Sequence, residues 1–133
     1  GVLVVMNHVS FTDTALMARL VWQAGRLPRF LVKKELTTPP VFGRIMVSAG
    51  NIPVDRGSAD AVKALEHAIQ ALRDGDCVCI YPEGTITKDP AQWPMAPKSG
   101  IARLVLECPD VPVDATPIFS PGNDSAASVD ASV

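Results

Sequence analysis

Val2-Leu3-Val4-Val5-Met6, running straight into Asn7-His8-Val9-Ser10-Phe11-Thr12-Asp13, is the stretch on which the architecture turns. Its first five residues are apolar, rich in β-branched side chains and uncharged, the pattern of a buried strand. Ala15-Leu16-Met17-Ala18-Arg19-Leu20-Val21-Trp22, just beyond, reads as a helix. His8 and Asp13 therefore straddle a strand-to-helix turn at the carboxyl end of a strand. Open α/β sheets place their ligand sites there.

The residue types suit that place. An imidazole titrates near neutral pH and can take a proton from a hydroxyl. It does so better when a carboxylate fixes its tautomer and steadies the imidazolium that forms. His8 and Asp13 are close enough for such a pair if the turn folds back. The same residues also spell a helix start. Ser10-x-x-Asp13 is a capping box in miniature, with Ser10 or Thr12 as N-cap and Asp13 favourable in the first turn. Spacing alone leaves both readings open.

Further along, Gly25 stands where a C-terminal cap would close the first helix. Phe30-Leu31-Val32 predicts a second strand, and Lys33 and Lys34 a solvated loop leading to Pro39-Pro40, which blocks regular structure. Val41, Phe42, Ile45 and Met46 share one face at helical spacing. They read first as core and second as one wall of an apolar groove. Ile52-Pro53-Val54 is a short strand whose proline suggests an edge. The clearest helix is predicted from Ser58, its cap, to Asp74, with Val62, Leu65, Ile69 and Leu72 as apolar stripe and Gly75 as stop. His67 falls on its polar face. Cys77-Val78-Cys79-Ile80 reads as another buried strand, with Tyr81-Pro82-Glu83-Gly84-Thr85 leaving its carboxyl end. A loop from Ala91 to Pro97 and a helix from Ser99 to Glu107 follow. Strand–helix units repeat, so the expected fold is α/β around a largely parallel sheet with flanking helices.

The chain's 133 residues allow one domain, and a hydrophobic content of 47% is ample for a core. A net charge of −2 with scattered Lys and Arg argues against a nucleic-acid partner. No apolar run approaches the roughly 20 residues of a membrane-spanning helix. Cys77 and Cys79 alternate on one strand, which fits core packing in a reducing compartment better than a disulfide framework. Two histidines and no Cys-x-x-Cys give a zinc site little support.

Asn7-His8 followed by Asp13 resembles the N-H-x-x-x-x-D motif of the glycerolipid acyltransferases, the 1-acylglycerol-3-phosphate acyltransferase family. Two further blocks stand in that family's order. Gly50-Asn51-Ile52-Pro53-Val54-Asp55-Arg56 resembles the second, and Tyr81-Pro82-Glu83-Gly84-Thr85 the third. The resemblance covers residues 1–119 as an acyltransferase domain; 120–133, rich in Ser, Ala, Asp and Gly, is expected to be a disordered tail. Family members carry more sequence on both sides, so the chain is expected to be a fragment of the full domain. Two departures stand out. Ile86-Thr87 follow the third block where the family usually has Arg then Ser, leaving Lys88 or Lys98 to compensate. Val111-Pro112-Val113 resembles the start of a fourth block, which Asp114-Ala115-Thr116 interrupts before Pro117-Ile118-Phe119.

The resemblance implies transfer of a fatty acyl group from acyl-CoA or acyl carrier protein to the hydroxyl of a lysophospholipid, first among them 1-acylglycerol-3-phosphate. His8 would be the general base and Asp13 its orienting carboxylate. Arg56, Glu83, Gly84 and Thr85 would hold the polar head. A guanidinium fork suits phosphate, although Arg56 taken alone reads as a surface pair with Asp55. Backbone N–H groups in the turn after His8 are the expected oxyanion donors. No metal or redox cofactor and no covalent acyl-enzyme are implied. The expected location is peripheral, at the cytoplasmic face of the cell membrane, with membrane contact through other segments. Acyltransferase action on another lysolipid or a glycolipid, and a non-catalytic lipid-binding role, remain alternatives. No Gly-x-Ser-x-Gly elbow supports a hydrolase.

Overall fold

A computed structural model describes residues 1–55 and 60–115. In chain order the elements are β1 (Val2–Val5), α1 (Phe11–Gln23), β2 (Pro28–Lys33), a single 3₁₀ turn (Lys34–Thr37), α2 (Phe42–Ser48), β3 (Ile52–Val54), α3 (Asp60–Arg73), β4 (Cys77–Ile80), α4 (Gly100–Glu107) and β5 (Val113–Ala115). Among the described residues the strands form one sheet in the order β3-β2-β4-β1-β5, and every pairing is parallel. This is the predicted α/β architecture.

A parallel sheet needs cover on both faces, and the pleat of the strands divides the core accordingly. Val4, Cys77 and Cys79 point to the face covered by Met17 and Val21 of α1, with Phe30, Val32 and Met6. Leu3, Val78 and Ile80 point to the other face, against α3 and Leu104 of α4. Burying a side chain such as Leu3 or Leu104 contributes roughly 1.5–3 kcal/mol. The three cysteines are free and buried, as expected of small core residues. The hydrogen bond from Cys77, together with burial, holds the Cys79 thiol well above its ordinary range.

Three expectations change. First, the buried face of α3 is Ala64, Ala68 and Ala71 with Ile69 and Leu72, while Val62 is exposed and Leu65 half-buried. Alanines let the helix lie close to the sheet, and that rotates Val62 outward. Its predicted cap, Ser58, lies outside the described residues. Second, Val41, Phe42 and Ile45 are not core: they are 73%, 50% and 58% exposed. Only Met46 of that set packs, against the α1-side cluster. Third, Asp114 and Ala115, which break the resemblance to the fourth block, nonetheless belong to the last strand. They pair in register with Val4 and Val5, because a parallel edge strand needs backbone donors and acceptors more than apolar side chains.

The first helix is closed by Gly25, whose φ of +74° suits glycine. β3 pairs with β2 alone, so Pro53 sits on an edge as its missing N–H requires. Among the described residues no helix is long and apolar enough to cross a membrane. Thr116 to Val133, including Pro117-Ile118-Phe119 and the predicted tail, lie outside the described residues.

Candidate active site

β1 and β4 are neighbours and run parallel, so the turns that leave their carboxyl ends meet on one rim. Ser10 is the N-cap of α1, with an extended backbone, and its side chain accepts the Thr12 N–H; Asp13, at the third helical position, completes a capping box. The Asp13 carboxylate is buried. Its Oδ2 accepts the Val9 N–H at 2.7 Å and the Ser10 N–H at 2.6 Å. The same oxygen faces Nδ1 of His8 at 3.4 Å. The capping box and the His–Asp pair therefore coexist around one oxygen. The two backbone bonds are short and hold the carboxylate in place; the contact to His8 is longer. With Nδ1–H directed at Asp13, Nε2 is the ring nitrogen left to accept a proton.

The His8 ring, with a side chain 13% exposed, is framed by the third block. Tyr81 stacks on it with ring centroids 4.1 Å apart and planes 21° from parallel. The Tyr81 hydroxyl shares a hydrogen bond of 3.1 Å with Thr14 Oγ1, and Phe30 stacks behind it at 6.4 Å. Burial pushes the Tyr81 phenol up to about 12, so it stays protonated through the physiological range. The main chain of His8 is held as well. Its N–H donates to Glu83 Oε1 at 3.1 Å, and its carbonyl accepts the Thr87 N–H at 2.7 Å.

The other expected site residues are placed as follows. Glu83 is buried, and its second oxygen accepts the Met95 N–H at 3.0 Å. Gly84 has a φ of +71° and lies under the Lys98 side chain, whose Nζ would be 3.5 Å from a β-carbon built there. Lys98, one of the two cations that could replace the family's arginine, thus stands at the third block; its N–H also donates to the Pro82 carbonyl at 2.9 Å. Thr85 is half-buried on the same turn, followed by a half-buried Ile86. Arg56 lies outside the described residues. Asp55, the expected alternative partner of Arg56, pairs with Lys34 at 3.3 Å. β3 ends on the same rim, three strand spacings from β1 or roughly 14 Å. Asn51 of the second block serves the fold: its oxygen accepts the Phe30 N–H at 3.0 Å and its amide donates to the Met46 carbonyl at 2.9 Å.

Several of the N–H groups around the turn after His8 are already engaged. The N–H groups of His8, Val9 and Ser10 are taken by Glu83 and Asp13. A carboxylate at the third position of a helix draws in the N–H groups just ahead of it.

What the arrangement can do is bind a hydroxyl beside an oriented imidazole at the mouth of a parallel sheet. A family model described as Acyltransferase matches residues 1–119. The chain belongs to that family. Among its Acyltransferase relatives, a lyso-ornithine lipid O-acyltransferase of Pseudomonas aeruginosa is 35% identical over 83 residues, covering 62% of this chain and 30% of that protein. A 1-acyl-sn-glycerol-3-phosphate acyltransferase of Neisseria gonorrhoeae is 31% identical over 84 residues, 62% of this chain and 31% of the relative. A chloroplastic enzyme of the latter name from Arabidopsis thaliana is 29% identical over 106 residues, 74% and 29% of the two chains. The matched segment thus spans about three-tenths of each relative. No solved structure matches significantly.

Tyr81 and Thr87 hold His8 in ways that the motifs alone do not assign. A signal for Tyr81 exists: counting by twos, Cys77, Cys79 and Tyr81 fall on one face of β4 and its extension, as Val4, Met6 and His8 do along β1. For Thr87 no local pattern gives the contact.

Proposed function

We propose that the chain carries the acyl-transfer site of an O-acyltransferase acting on lysolipids, with acyl-CoA or acyl carrier protein as donor. The observation that carries this reading is the His8 ring, oriented by buried Asp13 at the carboxyl end of β1 and framed by the third block. The acceptor hydroxyl loses its proton to His8 Nε2 as its oxygen attacks the thioester carbonyl. The tetrahedral oxyanion then collapses, the carbon–sulfur bond breaks, and the proton on Nε2 passes to the leaving thiolate. Asp13 stabilises the imidazolium in between. Arg56, Gly84 and Thr85 are assigned to the polar head, with Lys98 in place of the family's usual basic residue. The exposed Val41, Phe42 and Ile45 are available to an acyl chain or a membrane surface.

For the acceptor, 1-acylglycerol-3-phosphate is the leading assignment. A phosphate-free lysolipid is the second, favoured by Ile86 where the family has arginine and by the lyso-ornithine relative. The deciding experiment follows thiol release from acyl-CoA by the full-length protein, with lysophosphatidic acid and with a phosphate-free lysolipid. Release that depends on acceptor and disappears in His8→Ala is the expected result. Release regardless of acceptor would make the protein a thioesterase, and no release with either acceptor would leave a lipid-binding role.

A further inference from the structure

The resemblance assigns Glu83 to the acceptor's polar head, yet the residue is only 4% exposed and both of its oxygens end on backbone N–H groups, 75 and 12 residues away along the chain. Oε1 takes the N–H of His8 at 3.1 Å, and Oε2 takes that of Met95 at 3.0 Å. Four residues on, the Thr87 N–H closes on the His8 carbonyl at 2.7 Å. Residues 83 and 87 thereby satisfy both backbone polar groups of His8. A cavity of about 300 Å³ that Glu83 and Asn7 help to line is otherwise walled mostly by apolar residues, among them Met6, Pro82, Pro94 and Met95. Such apolar walls suit a hydrocarbon better than a glycerol hydroxyl.

We propose that Glu83 is a positioning residue for His8: it braces the backbone of the base and ties it to the loop of residues 91–97, and the acceptor lipid does not touch it. The inference rests on His8 being the base of the proposed reaction. A hydrogen bond to a carboxylate is charge-assisted and about twice as strong as a neutral one, so one residue can pin two turns. Without it two amides in a part-buried site lose their acceptor, and His8 shifts. A displacement of about 1 Å at a catalytic group costs on the order of 10² in rate.

The test is Glu83→Gln in the full-length protein. Glutamine keeps the size and one oxygen but sets an NH₂ group against the second N–H. The brace predicts a kcat lower by about 10² with the acceptor KM unchanged. It also predicts faster hydrogen exchange at the amides of His8 and Met95 in the substrate-free variant, with the amides of β3 unaffected. A raised acceptor KM with kcat retained, as a substrate ligand would give, overturns the proposal. So do exchange rates at His8 and Met95 that the substitution leaves alone. Should the variant fail to fold, the wild-type protein decides: both amides must be protected like those of β1 and β4, and fast exchange at either overturns the brace. A wild-type protein that transfers no acyl group refutes the functional reading instead, and the two amides still judge the brace.

Discussion

Replacing Asp13 by asparagine separates the two tasks of one oxygen. The carboxylate accepts two short backbone N–H bonds, from Val9 at 2.7 Å and Ser10 at 2.6 Å, and one long contact from His8 at 3.4 Å. A bond to a charged acceptor contributes about 1.5–3 kcal/mol and a neutral one about 0.5–1.5, so each backbone bond loses roughly 1 kcal/mol when the acceptor becomes an amide oxygen. Removing a negative charge from the first turn of α1 costs about 0.3–1 kcal/mol more. The expected destabilisation is about 2–3 kcal/mol, or roughly 8–12 °C in Tm for a domain of this size. A protein stable by about 5–15 kcal/mol remains folded. Activity should fall much further. The oxygen that faces Nδ1 becomes a neutral amide oxygen, which holds the tautomer with Nε2 free less firmly and no longer offers a charge to steady the imidazolium; the analogous change in a serine protease triad costs about 10⁴. With the longer contact here, a loss of about 10²–10⁴ in kcat is expected. Denaturant unfolding and acyl-transfer kinetics on one preparation measure both. A destabilised variant that transfers acyl groups within a few-fold of wild type would make Asp13 a helix cap and nothing more. Unchanged stability would refute the backbone bonds themselves.

His8→Ala should lower acyl transfer by about 10²–10⁴. It gives up the long contact to Asp13 and the stacking on Tyr81, the latter about 0.5–1.5 kcal/mol, so its unfolding midpoint should fall modestly while the protein stays folded; a folded variant with most of its activity would remove His8 as the base. The phenol of Tyr81 predicts a pH effect. Its proton leaves near pH 10 in the unfolded chain and at about 12 in the fold, so the fold holds it more tightly. That stabilisation is whole below pH 10 and is lost as pH rises from there towards 12. Tyr81→Phe, with no proton to lose, should therefore show a shallower fall in stability over that window, and identical slopes would contradict the burial. Gly43→Ala should destabilise by about 1–3 kcal/mol in denaturant unfolding, because a methyl at that position of α2 runs into the Thr37 carbonyl oxygen and the backbone must give way. Wild-type stability would show that the 3₁₀ turn and α2 do not pack as closely as described.

The frame of the site was legible because its signals are local. A β-branched run, a Ser-x-x-Asp start and a glycine stop fix β1 and α1 almost without reference to the rest of the chain. What sequence could not supply were pairings across long separations. Glu83 meets His8 from 75 residues away, and nothing in Tyr81-Pro82-Glu83-Gly84-Thr85 says whether that carboxylate faces a ligand or a backbone. The exposed face of α2 misled for a related reason: apolar residues at helical spacing describe a face, and only the packed sheet shows that nothing among the described residues covers Val41, Phe42 and Ile45. On α3 the error ran the other way, since alanines carry little weight in an apolar stripe yet allow the closest approach.

The spacing of His8 and Asp13 follows from the geometry of a helix start. In a capping box the residue three after the N-cap turns its side chain back to the N-cap N–H. With Ser10 as N-cap, Asp13 is that residue, and its Oδ2 reaches the Ser10 N–H. The Val9 N–H lies beside it and falls to the same oxygen. His8 is the next residue outward, and its ring is the first side chain in that turn able to lay a donor on an oxygen already fixed from two sides. A carboxylate one position earlier or later would project about 100° around the helix and miss all three. The four intervening residues are therefore what a strand end, an imidazole and a capped helix require in order to share one carboxylate, and the base inherits its orientation from the bonds that begin α1.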